Sequence, residues 1–460
     1  MGVASSHELF ARLIFRAGLC LARRSHAVSV TKTGADRYPG PDQQAQRPNR
    51  QTVESNCCTM NPMSSNNAGL YIHIPFCVRK CPYCDFYSVT DLALKPRFLK
   101  ALIAEMKLVS TKGFCFDTLY IGGGTPSVYG YNDIGQIVTA ISRNFDLRPD
   151  AEITIEVNPG TVSIEQLKGY REAGINRINI GVQSFYQKNL DFLGRIHSAN
   201  EARNAVTEAQ RAGFKNIGLD LIYGLPDQSK PDWLEDMKQA VEYDPTHLSC
   251  YMLTYEKGTP LYSDLKDERV QPLAEDNART LFETTIDYLE YHKYFQYEIS
   301  NFARIGNDGK PHISKHNLKY WTLVPYIGLG PSAHSFVEPQ RYWNVSSVSS
   351  YIAAIESGRL PVAEKEVLSE QQQMIEAIYL SLRMTAGIDL VGFKAKYGID
   401  FMKTFKGVIS DLEERNYIEL KNSRCALTRR GRALLDSITS MFVARIFSIR
   451  KPRFDASFPE

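Results

Sequence analysis

The stretch YIHIPFCVRKCPYCDFYS, Tyr71–Ser88, decides the reading of this chain. An alternating apolar run leads directly into Cys77, Cys81 and Cys84, spaced C-x3-C-x2-C. Structural zinc sites pair two C-x2-C knuckles or add histidines at fixed offsets, and no second knuckle follows here. The spacing suits an iron–sulfur cluster better. Three thiolates can bind three irons of a cubane that usually takes four cysteines, leaving one iron open to an exogenous ligand. An open iron implies chemistry.

Working outward, short β-rich segments recur: LYIHI near 70, TLYIG near 118, EITIEV near 152, RINIGV near 177, NIGLDLIYG near 216 and HLSCYML near 247. Helical patterns fill the gaps. In PRFLKALIAEMKLV, Phe98, Leu99, Leu102, Ile103, Met106 and Val109 share one helical face, and Pro96 stands near its start. Six β–α units in succession predict right-handed crossovers and a parallel sheet curling into a barrel or partial barrel, an α/β fold. Barrel enzymes build their sites at the carboxyl ends of strands. The cysteines follow strand one, Gly122-Gly123-Gly124-Thr125-Pro126 follows strand two, and Glu156 ends strand three. Gln183 follows strand four, Asp220 lies within strand five and Thr254 follows strand six. Each has a structural reading: Glu156 could cap a helix, Asp220 could satisfy a backbone group, and the glycines could only turn the chain. Six such residues at one rim point to a site.

The 460 residues suffice for two to three domains, and 43% apolar with 23% charged residues fits an ordinary soluble protein. Residues 1–66 hold eight Lys/Arg against four Asp/Glu, which leaves 46 against 47 beyond them. The body is near neutral, so no nucleic-acid surface is indicated. Nine cysteines, scattered apart from the triplet and Cys57-Cys58, suggest a reducing compartment. The first thirty residues carry four arginines and one acid, Glu8, with Phe10, Leu13 and Ile14 on a helical face opposite Arg12 and Arg16. That pattern resembles a mitochondrial presequence, and a non-targeting tail is its bland alternative. The uncharged run Tyr320–Val337 contains two prolines and two glycines and reads as a loop within a core, so no membrane span is expected.

The organisation expected is a targeting segment and linker over 1–66, a barrel core over 67–255 and an irregular, aromatic α+β extension over 256–360. A compact piece over 361–440 and a tail over 441–460 follow. The compact piece has a helix near Gln371–Met384, Asp389 as a cap, a helix from Phe401 to Arg415, strands YIEL and CALT, and a last helix RRGRALLDSI. It resembles a winged helix. Lys403, Lys406 and Arg415 are balanced by Asp411, Glu413 and Glu414, which favours packing or partner docking over DNA binding.

C-x3-C-x2-C after one strand and GGGTP after the next resemble the radical S-adenosylmethionine (SAM) superfamily. The resemblance implies a partial (β/α)6 barrel, a [4Fe-4S] cluster on Cys77, Cys81 and Cys84, and SAM on the open iron. Over residues 70–440 the chain is similar to the family containing the oxygen-independent coproporphyrinogen III oxidase and the haem chaperone HemW. By motif, Tyr71, Gly123 and Glu156 would contact a first SAM. Tyr83, Gly124, Thr125, Gln183, Arg195 and Asp220 would line a second, as in the oxidase. The oxidase carries a fourth cysteine two residues after the third, where this chain has Phe86; CDF and HNLKYW (His316–Trp321) resemble the chaperone branch. This implies haem as ligand, haem-accepting partners, respiratory ones included, and a reductant for the cluster. His316 is the candidate haem ligand, with Tyr320 and Trp321 against the porphyrin; a hydrogen-bonded core histidine is the alternative. His334, Cys250 and His73 are weaker candidates. The competing functions are a coproporphyrinogen III oxidase or other radical enzyme, and an interaction protein with a structural cluster.

Overall fold

A computed structural model describes residues 67–449 apart from 110 and 112. The targeting segment and linker assigned to 1–66, and the tail beyond 449, lie outside the described residues.

Six strands follow the segments read from sequence: β1 (Asn67–Ile74), β2 (Cys115–Gly123), β3 (Leu147–Val157), β4 (Arg177–Gln183), β5 (Asn216–Tyr223) and β6 (His247–Met252). They lie side by side in chain order, each parallel to the next. Helices intervene at Lys95–Leu108, Tyr131–Asn144, Ile164–Glu172, Ala199–Arg211 and Lys230–Glu242. The last two start on reciprocal caps, Ser198 with Glu201 and Ser229 with Asp232, which satisfy donors that a first turn leaves open.

Period-two alternation divides each strand between two faces. Ile72, Leu119, Ile121, Ile155, Ile178, Ile180, Leu219, Leu221 and Leu248 pack into the main core with Phe98, Leu102, Ile137, Ile141, Trp233 and Met237 of the helices. Burying such a side chain stabilises the fold by about 2 kcal/mol. The alternate positions carry Tyr71, His73, Tyr120, Glu156, Arg177, Asn179, Asp220 and His247. The sheet is thus apolar toward its helices and polar toward its inner face, hereafter the lumen.

Further strands extend both edges. β7 (Tyr294–Gln296) and β8 (Asn301–Arg304) form a hairpin, with β8 antiparallel to β6. At the other edge β9 (Tyr326–Leu329) runs parallel to β1, followed outward by β10 (His334–Val337), β11 (Gln340–Asn344) and β12 (Val362–Val367) in antiparallel pairing. The run Tyr320–Val337 is therefore part strand, not only loop. Residues 362–367, assigned from sequence to the C-terminal piece, instead complete the twelve-stranded sheet. Among the described residues no helix is long and apolar enough to cross a membrane.

The C-terminal piece begins with the helix Glu370–Arg383 and contains a three-stranded antiparallel sheet, β13 (Ile388–Asp389), β15 (Arg424–Leu427) and β14 (Ile418–Lys421) in that order. Asp389 caps the helix Leu390–Tyr397, as expected. The single helix expected over 401–415 is broken at Phe405 into Phe401–Thr404 and Lys406–Glu414. The last helix, Leu435–Ile449, runs past residue 440, where the tail was placed, because Phe442, Val443 and Ile446 are buried. Buried pairs dock this piece on the sheet: Arg383 with Glu298 at 2.8 Å and Arg341 with Glu376 at 2.7 Å.

Candidate functional site

The cysteine loop leaves β1 and is closed at its base: the Cys77 amide donates to Val89 O and the Val89 amide to Pro75 O. Its far side is clamped by Arg79, which donates to the carbonyls of Gly194 and Arg195 at 2.8 and 2.7 Å. Cys77 and Cys81 are buried and Cys84 is half-buried. Thr125 Oγ1 lies 3.4 Å from Cys77 Sγ, and Arg195 Nη1 donates to Cys81 Sγ at 3.6 Å. Burial, above all, raises the Cys77 thiol pKa, while hydrogen bonds from Thr125 and Ser88 pull it down. Among the described residues no three His, Cys, Asp or Glu side chains converge as a single metal ion would require. Thiolates that each take a different iron of a cubane need no such convergence.

The GGGTP turn presses against this loop. Gly124 N donates to Ile74 O and Thr125 N to Phe76 O. A Cβ on Gly124 would lie 2.7 Å from Phe76 O and 3.1 Å from Cys77 Sγ, and Gly123 has φ 111°, so side chains are excluded here. Glu156 accepts from Gly123 N at 3.2 Å and from Tyr120 OH at 2.7 Å. Burial keeps Tyr120 protonated, hence a donor. Tyr71 OH and His73 Nδ1 are 3.1 Å apart, and burial lowers the His73 pKa to about 4, so the ring is neutral.

Across the rim, Arg195 also donates to Tyr83 OH at 3.3 Å and to Gly181 O at 3.0 Å. Asp220 accepts from Asn179 at 2.7 Å. Gln183 holds a left-handed φ of 67°, a conformation rare outside glycine, and its buried Oε1 has no partner among the described residues. Cys81, Tyr83, Leu193, Ile222, Leu225, Leu253 and Leu261 form an apolar collar beside the loop. The three cysteines, the glycine turn, Glu156, Gln183, Arg195 and Asp220 are thus gathered at one rim. Tyr120 and Asn179, which orient the two carboxylates, escaped the sequence reading; their signal was the same-face spacing within β2 and β4.

His316 is not at this rim. It lies toward the starting ends of β2 and β3, on the helix Lys315–Trp321, with no exposed surface. Nδ1 shares a hydrogen bond with Thr118 Oγ1 and Nε2 one with Tyr320 OH, both at 2.8 Å, and the ring stacks on Tyr120. Both nitrogens are thus engaged inside the core, as in a hydrogen-bonded core histidine, and to ligate haem iron His316 would have to give up one of these bonds. The rest of HNLKYW packs likewise: Lys319 pairs with Asp117 at 2.6 Å, Tyr320 meets Tyr326 edge-on, and Arg383 sits 4.6 Å above Trp321. Cys250 is buried in the core, and His334 stacks on Trp343.

Residues 71–240 match the model of the radical SAM superfamily, and 368–434 that of the HemN C-terminal domain. The heme chaperone HemW of Bacillus subtilis is 34% identical over 381 residues, 82% of this chain and 99% of the relative. That of Escherichia coli is also 34% identical, over 82% of this chain and 98% of the relative. The chain belongs to the HemW family. The HemW of Mycobacterium tuberculosis is similar too, 33% identical over 82% of this chain and 95% of its own length. Among solved structures, coproporphyrinogen III oxidase HemN from Escherichia coli has the same fold, with a TM-score of 0.71 at 21% identity over 82% of this chain and 90% of that one.

Membership of a radical SAM family implies SAM and a [4Fe-4S] cluster, and the residues fit them. The cysteine loop is anchored at both ends, the glycine turn leaves open backbone beside Cys77, and an orphaned Gln183 carbonyl offers an acceptor within the rim.

Proposed function

We propose that this protein is a haem chaperone, which binds haem and passes it to haem-accepting proteins, respiratory ones included. The observation that carries the proposal is similarity along nearly the whole length of HemW relatives, together with Phe86 at the position of the oxidase's extra cysteine. Cys77, Cys81 and Cys84 would hold the cluster. When bound, this group supplies a one-electron reducing centre and an iron that SAM can chelate.

The chain's own residues prepare that chemistry. Arg195 and Thr125 offer hydrogen bonds to two of the sulfurs, Cys81 and Cys77, and so orient the site. Gly123 and Gly124 would let a methionine amino end approach the backbone, with Glu156 accepting from it; Tyr71 would flank this first SAM. Tyr83, Gly124, Thr125, Gln183, Arg195 and Asp220 are proposed to line the second. The apolar collar would limit water access when the site is occupied. A reductant must deliver the electron. The arginine-rich, acid-poor first thirty residues support a mitochondrial address.

The HemN fold favours one competing reading, oxidation of coproporphyrinogen III. Anaerobic reconstitution, then haem titration and a coproporphyrinogen assay on the same sample, separates the two. The chaperone reading expects stoichiometric haem binding and unchanged coproporphyrinogen; substantial decarboxylation would replace it by the oxidase.

A further inference from the structure

Arg177 opens β4 opposite Thr154 of β3 and faces the lumen. It is 1% exposed, and its Nε, Nη1 and Nη2 have no hydrogen-bond partner among the described residues. It forms no ion pair among the described residues either, whereas three other buried cations each hold a carboxylate: Lys319 with Asp117, Arg341 with Glu376 and Arg383 with Glu298. A buried charge without a partner is strongly destabilising, so an uncompensated guanidinium calls for an explanation beyond packing.

Two neutral groups near it share the condition. Thr154 Oγ1 and His247 Nδ1 are buried without partners among the described residues. His247 Nε2 is 2.8 Å from Tyr297 OH, so when Tyr297 donates, His247 presents Nδ1–H. Gly218 lies between these strands, in register with Asn179 and His247. A Cβ there would stand 3.0 Å from Arg177 Nη2 and 2.4 Å from Asn179 Oδ1, so only glycine lets the guanidinium and the Asn179 amide lie this close to β5.

We propose that Arg177, with Thr154 and His247, forms a carboxylate-binding subsite on the lumen face of the sheet, one layer below Glu156. The planar fork of a guanidinium matches the two oxygens of a carboxylate, and a hydroxyl and a ring N–H add two further donors. The carboxylate can come from two sources. One is a propionate arm of haem, which rests on the chaperone reading; the other is a small free carboxylate, which does not.

The test uses the full chain, anaerobically reconstituted, as wild type, Arg177→Met and Arg177→Lys. Each is titrated with haem and with haem dimethyl ester, and its thermal unfolding is followed with and without acetate. If a propionate occupies the subsite, Arg177→Met binds haem about tenfold or more weakly, Arg177→Lys falls between, and the diester binds all three equally. If a small free carboxylate does, haem and its diester bind all three alike, and acetate raises the melting temperature of wild type but not of Arg177→Met. In either case Arg177→Met alone should melt no lower than wild type, because an uncompensated charge has been removed. Unchanged haem affinity with no differential acetate effect would overturn the proposal, as would a lower melting temperature with both ligand responses intact. Should Arg177→Met fail to fold, the same comparisons on Arg177→Lys decide. Wild type that binds no haem would sink the chaperone reading while the acetate arm still decides the subsite.

Discussion

Cys77 and Cys81 each have a hydrogen-bonding neighbour outside the loop, and this is where the consequences of single substitutions are sharpest. Cys77→Ala, Cys81→Ala or Cys84→Ala should each leave iron labile, because a cluster gains its affinity from preorganised thiolates. Cys115→Ala and Cys425→Ala should not. Iron and sulfide analysis of the reconstituted variants checks this, and an intact cluster in Cys81→Ala would refute the assignment. His316→Ala should behave oppositely to a ligand variant. It strips partners from Thr118 and Tyr320 and leaves a cavity, so denaturant unfolding should show a loss of about 2–4 kcal/mol. As the loss of a core histidine it should leave the Soret band of the haem complex where it is; a shifted band in a protein of unchanged stability would instead establish the ligand role. The cysteines were legible in the sequence because their spacing is local. His316 was not, because a histidine among aromatics has the same local pattern in a core as beside a porphyrin. Arg177 went unread since nothing in RINIGV announces that its charge lacks a partner.

At the scale of elements, the contact between the GGGTP turn and the cysteine loop couples β2 to β1. Gly124→Ala should push Phe76 O and Cys77 Sγ apart, cutting reconstituted cluster content by more than half without unfolding the barrel. Gly130→Ala, whose Cβ would meet open space, is the control. Equal iron content in both variants would remove the coupling. The six parallel strands could be read in advance because each combines β-branched or aromatic residues with turn signals and a helical segment. β9 could not: YIGL is short, sits among glycines and prolines, and is a strand because β1 offers it a free edge. β12 likewise, VAEKEV, is almost wholly exposed and owes its conformation to pairing with β11.

Across the whole molecule, the first barrel helix is tied to the extension through one buried carboxylate. Glu105 accepts from Gly330 N, Asn344 Nδ2 and Tyr351 OH, at 2.6–2.8 Å. These bonds favour the carboxylate, yet burial outweighs them and raises its pKa from 4.5 to about 7. A raised folded pKa means the folded state holds the proton more tightly. The stabilisation is complete below about pH 4.5 and is lost as pH rises through about 7. Denaturation midpoints should therefore fall between pH 5 and 8, by on the order of 3 kcal/mol in stability, and Glu105→Gln should flatten that slope. An unchanged slope in the variant would assign the titration elsewhere.

Handing on haem is the central claim, and transfer tests it most directly. Reconstituted protein charged with haem is mixed anaerobically with an apo-haemoprotein in the presence of SAM, reductant and coproporphyrinogen III. The Soret band and the porphyrin composition are then followed together. The account predicts that haem moves to the acceptor while coproporphyrinogen III persists. Coproporphyrinogen losing its carboxylates as carbon dioxide, with no haem reaching the acceptor, would contradict it.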